Sequence, residues 1–224
     1  MLRSFPFTAD TYLSLFEAYN SLIWPTQVVA YALGILAVLL ALRPVAAGGR
    51  IVFAVLSVFW LWNGIAYHLL HFFQINFAAL GFAALFALQG VLFAAIAVRG
   101  RRSFRSRSDV LGWSGLLFCL FALVAYPLLG WLAGHGGPRS AAFGVAPAPT
   151  VIFTFGMLLL LAGRAPLTLA VIPLLWALAA GSAAVLRLGI LEDASLLLAG
   201  VAGFGLLVWK RSLRTDSADA PTGS

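Results

Sequence analysis

Two imidazoles, a phenol and two amides fall within one apolar stretch, Trp60-Leu61-Trp62-Asn63-Gly64-Ile65-Ala66-Tyr67-His68-Leu69-Leu70-His71-Phe72-Phe73-Gln74. At about 100° per residue, Trp60, Asn63, Tyr67, His71 and Gln74 share a helical arc of about 80°, with Gly64 beside them and His68 at its edge. His68 and His71, three residues apart, can lean toward one metal ion that His135 or Glu17 would complete. Bis-imidazole haem ligation needs histidines on opposite sides of the iron, which one helix does not supply. The chain has no Gly-x-Ser-x-Gly, no HExxH and no paired buried carboxylates, so no hydrolytic centre is expected, and no catalytic residue is assigned. Lys210 falls at the boundary of the last hydrophobic segment rather than inside it, which excludes a retinal Schiff base there. Amides, imidazoles and aromatic rings on one face suit capture of a small organic ligand.

Hydropathy dictates the elements that carry these groups. Among 224 residues, 62% are hydrophobic and 9% charged, with mean hydropathy +1.02, far from the balance of a soluble domain. The expectation is an all-α polytopic membrane bundle, one domain over 1–211, embedded in the lipid bilayer. Seven spans are read at 22–42, 51–72, 77–98, 110–132, 150–163, 166–186 and 191–209. The fifth, about 15 residues, reaches only about 22 Å of a hydrocarbon layer of about 30 Å.

The basic residues decide for seven. With the N-terminus out and the C-terminus in, Arg43, Arg50, Arg99, Arg101, Arg102, Arg105, Arg107, Arg164, Lys210, Arg211 and Arg214 lie inside, and only Arg3, Arg139 and Arg187 outside. The same pattern accounts for the formal charge of +7 and pI near 10.5 without a nucleic-acid partner. Each basic group near the anionic leaflet contributes about 1 kcal/mol of anchoring. The start of the chain lacks the apolar core and cleavage site of a signal peptide. Residues 1–21 are expected to form an outer interfacial amphipathic helix with Tyr12, Phe16 and Tyr19 toward the membrane boundary, and 212–224 a disordered cytoplasmic tail. Cys119, the single cysteine, is expected as an inert buried thiol.

Depth assignment gathers the polar residues on the outer side. Trp24, Gln27, Tyr31 and Gly34 form a stripe on the first span, expected to face the stripe of the second. The loop after Tyr126-Pro127 carries Gly134-His135-Gly136-Gly137-Pro138-Arg139 and is long enough for a lid. Pro147 and Pro149 are expected to hold the chain extended before a short span whose Thr150 and Thr154 share a face and line a wet funnel. Arg187 is expected to be neutralised by Glu192 or Asp193. Ala177 with Gly181, and Ala199 with Gly203, have the spacing of close helix crossings.

The set Ala18-Tyr19-Asn20, Trp24-Pro25, Trp60, Asn63-Gly64, Tyr67-His68, Gln74-Ile75-Asn76, Tyr126-Pro127, Gly134-His135, Pro147-Ala148-Pro149-Thr150, Ile152-Phe153-Thr154-Phe155-Gly156 and Ile172-Pro173-Leu174-Leu175-Trp176 resembles a bacterial family of multi-pass inner-membrane proteins of unknown function. The resemblance runs from about residue 5 to 210, and some members carry an automatic permease label. It implies a bacterial inner-membrane location. Members often place a Cys between the two prolines where this chain has Ala148, which argues against a thiol or metal role for that loop here.

The resulting expectation is a permease-like protein, not an enzyme, that binds or passes a small ligand on its outer side without a cofactor. The ligand-binding set is Gln27, Tyr31, Trp60, Asn63, Tyr67, His68, His71, Tyr126, His135, Thr150 and Thr154. The rival readings are a metal- or redox-active membrane enzyme or accessory subunit built on His68, His71 and His135, and a structural scaffold.

Overall fold

The computed structural model describes residues 6–43, 45–100, 102–105 and 108–216. Arg3, Arg101, Arg107 and the 217–224 part of the expected tail lie outside these residues. The fold is all-helical. In chain order the helices are α1 Ala9–Leu22, α2 Thr26–Leu42, α3 Gly48–Trp62, α4 Ala79–Arg99, α5 Val110–Leu120, α6 Tyr126–Gly130, α7 Pro147–Leu160, α8 Thr168–Ala183 and α9 Ala194–Asp216. The last helix runs five residues into the segment expected as a tail from 212.

Several helices are prolonged by wider, π-helical turns. Asn63–Leu69 extends α3, Phe121–Ala125 joins α5 to α6, Trp131–His135 follows α6, and Ala184–Leu188 extends α8. With these extensions, five helical rods among the described residues are long and apolar enough to cross a membrane, and α1 with α2 would supply a sixth across an 87° bend. Their outward faces are apolar: Val98, Leu186, Leu198 and Leu117 are all strongly exposed. Such faces are compatible with a membrane-embedded protein.

The centre of the bundle is α7, the segment expected as a short fifth span over 150–163. It starts three residues earlier, at Pro147, and every residue of its 14 is buried. Pro147 and Pro149 therefore do not hold an extended lead-in. They occupy the first turn, where a helix has no backbone partner for their missing N–H groups. Gly115 of α5 and Gly156 of α7 permit a close crossing, since a Cβ on Gly156 would lie 2.7 Å from the Gly115 carbonyl oxygen. Cys119 is buried at the same crossing, its Sγ 3.6 Å from Met157 Sδ. Ala177 of α8 meets Gly200 of α9, and Gly181 lies against Leu197, so the expected small-residue stripe on α8 faces α9. Gly203 instead receives the ring of Phe155.

A 14-residue helix inside a bundle leaves its last carbonyls without partners. Lys210 of α9, only 1% exposed, supplies them. Its Nζ donates to the carbonyls of Leu159 at 2.7 Å and Leu161 at 2.6 Å, and lies 3.3 Å from that of Leu158. A cation at a helix C-terminus is also favoured by the helix dipole. The connection before α5 folds in to meet the same end: Arg105 N donates to Leu160 O at 3.2 Å, and Ala162 N to Ser103 O at 2.9 Å. Arg50 lies against Gly100, and Arg102 Nη1 donates to Arg164 O at 3.2 Å, so the basic residues collect at this end of the bundle. The opposite end carries α1.

Candidate functional site

Beyond Trp62 the backbone widens into a π turn, and rotation per residue departs from the 100° of an α-helix. The expected single stripe is divided by this change. Asn63, Gly64, Tyr67 and His68 stay buried, whereas His71 lies past the end of the turn and Gln74 is exposed, its amide donating to Leu70 O at 2.8 Å. His71 Nδ1 lies 2.6 Å from the carbonyl oxygen of Ala66, five residues back, and so satisfies a carbonyl released by the wide turn. Gly64 is needed for the approach to α4, because a Cβ there would lie 3.1 Å from the Ala83 carbonyl oxygen.

Trp60 and Asn63 are committed to packing. Trp60 Nε1 donates to Thr154 Oγ1 at 2.9 Å, and Thr154 donates to Thr150 O at 2.8 Å. Asn63 Nδ2 is shared among Phe59 O at 2.8 Å, Gly144 O at 3.0 Å and Thr150 Oγ1 at 3.3 Å. Thr150 Oγ1 donates in turn to Ala146 O at 2.8 Å. All four side chains are fully buried, so the wet funnel expected along Thr150 and Thr154 is absent; these hydroxyls instead join the π turn to α7.

Tyr67 and His68 take part in a different arrangement. A cleft of about 270 Å³ is walled by Tyr67, Phe72, Phe82 and Trp176, with Phe7 and Tyr12 at its α1 side and the small residues Ala179, Ala180 and Ala183 of α8 opposite. His68 stands behind this wall, its ring centroid 4.8 Å from that of Trp176, 5.0 Å from Tyr67 and 4.7 Å from Phe86. Three polar groups here are buried without a hydrogen-bond partner: the Tyr67 hydroxyl, the Trp176 indole N–H and both nitrogens of His68. The Tyr12 hydroxyl lies beside that of Tyr67. Burial, with Asp193 nearby, pushes the Tyr12 phenol up and keeps it protonated.

Tyr12, Trp176 and Ala180 also wall a second, polar chamber of about 30 Å³, room for roughly one water. Tyr126 donates to Asp193 Oδ1 in this chamber, and His135 Nδ1 pairs with Glu192 Oε1 at 2.6 Å. The carboxylates expected to neutralise Arg187 are therefore turned to other partners, and Arg187 is exposed. Arg139 binds α1 from the loop, with Nη2 2.5 Å from Asp10 Oδ1 and Nε 3.7 Å from Glu17 Oε2.

α1 covers both spaces, and the aromatics expected at the membrane boundary hold it there. Phe16 and Tyr19 are buried against the bundle, and Tyr12 is partly so. Tyr19 OH donates to Val145 O at 2.7 Å and accepts from Trp62 Nε1 at 2.8 Å. Asn20 Nδ2 reaches Pro138 O at 2.6 Å and Ser140 O at 2.8 Å. The stripe of the first span does not face that of the second: Tyr31 and Gly34 pack on Phe143 of the loop, Gln27 Nε2 donates to Asn20 O at 2.8 Å, and Trp24 is exposed.

The expected set is thus dispersed. Tyr67 and His68 belong to the cleft, Tyr126 and His135 to the polar chamber, Trp60, Asn63, Thr150 and Thr154 to an internal network, and Gln27, Tyr31 and His71 to local contacts. His68, His71 and His135 do not converge, and among the described residues no group of three His, Cys, Asp or Glu side chains could hold a metal ion. Tyr12, Trp176 and Asp193 were not in the expected set. The tryptophan follows Pro173 on an otherwise apolar helix, and the aspartate sits in a turn, where solvation is the ordinary expectation. No curated protein and no solved structure matches the chain. Residues 9–218 match a family described as a family of unknown function, DUF6064, and the chain belongs to that family.

Proposed function

We propose that the protein crosses a bacterial inner membrane seven times, N-terminus out and C-terminus in, and binds a small, largely apolar ligand from its outer side. The α1 end of the bundle is then the outer one. The reading is supported by the basic residues gathered at the opposite end and by α7, whose C-terminus is met by Ser103 and Arg105 of an arginine-rich connection. Lys210 fits the same scheme, its long stem letting a charge at the inner boundary reach the end of a short crossing.

The observation that carries the binding reading is the aromatic cleft of about 270 Å³, lined by the rings of Tyr67, Phe72, Phe82 and Trp176 with Tyr12 and Asn76 as polar groups at its edge. Ligand sites combine an apolar lining with a few such groups. Binding is favoured over passage, because toward the basic end Trp60 packs on Phe86 at 4.4 Å and on Phe93 at 6.2 Å, and a translocated molecule would have to part these rings.

The test is mass spectrometry of the protein purified from its native membrane, beside an Ala183→Phe variant that fills the cleft. A stoichiometric small molecule on the wild type, absent from the variant at unchanged unfolding temperature, is expected. Equal recovery from both proteins would contradict the assignment.

A further inference from the structure

Resting on the reading of the bundle as membrane-embedded, we infer that its basic end holds one anionic phospholipid, its phosphate at Arg99 and Arg102 and an acyl chain in the groove between α4 and α8. The groove has a volume of about 490 Å³. Leu92, Ala95, Ile96 and Arg99 line it at helical spacing, so one face of α4 is aliphatic for about two turns and ends in a guanidinium. At a rise of about 1.5 Å per residue, Leu92 lies about 10 Å from Arg99 along the axis, room for a stretch of hydrocarbon chain. Leu169 of α8 supplies the facing wall, and Thr168, the first residue of that helix, lies at the arginine end.

The charges of the groove call for an anion. Among the described residues no carboxylate pairs with Arg99 or Arg102, and no residue lining the groove is acidic. The bond from Arg102 Nη1 to Arg164 O ties the connection after α4 to the turn before α8, and it uses one of five guanidinium donors. The remaining donors match the charged acceptor oxygens of a phosphodiester. The aliphatic slot then selects a lipid over a soluble phosphate, which would use the arginines alone. Val91 and Val98, each one turn from Ala95 on α4, and Val171, one turn from Thr168 on α8, are exposed. The groove is therefore continuous with an apolar surface from which a chain can enter. A phosphocholine head would bring its own ammonium to two guanidiniums, whereas phosphatidylglycerol brings only negative charge.

Native mass spectrometry of the full, delipidated protein in detergent, titrated with phosphatidylglycerol or with phosphatidylcholine of the same chains, tests this. One phosphatidylglycerol is expected to bind roughly tenfold tighter than phosphatidylcholine. Arg99→Gln combined with Arg102→Gln should abolish the preference; both side chains are exposed, and an unchanged unfolding temperature checks the fold. Arg43→Gln combined with Arg105→Gln removes the same charge from another groove at this end and should keep the preference. Ala95→Trp, which fills the slot, should lose phosphatidylglycerol although both arginines remain. Equal affinity for the two lipids, a preference that survives loss of Arg99 and Arg102, an equal loss in both double variants, unchanged binding in Ala95→Trp, or displacement of the lipid by inorganic phosphate would overturn the site while leaving the membrane reading. Failure of the purified protein to enter vesicles of either lipid would overturn that reading and the site together.

Discussion

The side-chain amide of Gln89 donates across the bundle to the carbonyl of Leu169, at 3.2 Å, four residues before Pro173. Proline has no N–H, so the Leu169 carbonyl lacks its helical donor, and Gln89, fully buried on α4, replaces it. Gln89→Leu is expected to destabilise by about 1–3 kcal/mol, the cost of an unsatisfied buried carbonyl. In a Pro173→Ala background, where the backbone N–H returns, the same substitution should cost close to nothing. Thermal unfolding of the four proteins forms a complete cycle. Equal costs in both backgrounds would show that Gln89 acts otherwise.

Lys210 stands in the same relation to α7. Lys210→Met keeps most of the buried stem but removes the donors of the Leu159 and Leu161 carbonyls, and a loss of roughly 3 kcal/mol is expected. A melting temperature within a degree or so of the wild type would mean that water or another group takes over the cap.

The attachment of α1 has an exposed and a buried component, which salt separates. Arg139→Ala is expected to speed hydrogen exchange in α1 modestly, and high salt should mimic it, because Asp10 is largely exposed. Asn20→Leu removes two bonds to loop carbonyls and should speed exchange roughly tenfold or more, independent of salt. If salt abolished the Asn20 effect as well, the buried clamp would not be what holds α1.

The helices were legible in the sequence because spanning length and apolar composition depend on local residues alone. The register of the site was not. The π turn at Asn63–Leu69 is set by tertiary packing, with Gly64 against α4 and His71 taking a freed carbonyl, and it moves His71 and Gln74 off the stripe that α-helical spacing draws. Charge carries no depth: Lys210 is expected at a boundary, yet its stem carries the ammonium to the end of a buried helix. Asp193 and Glu192 sit five or six residues from Arg187, and local proximity suggested a pair. Their actual partners, Tyr126 and His135, come from a distant stretch of chain that only the packing of α6 and the long loop brings near. Trp176 carried a signal, a donor on an apolar helix, which becomes informative only beside Tyr67 and His68.

The most direct measurement of the central claim is the density in the cleft of the protein isolated from its native membrane in lipid, without added ligand. A compact non-protein density packed between the rings of Phe72, Phe82 and Trp176 is predicted. A cleft closed by Phe82 against Trp176, or one holding only ordered water, would contradict the account.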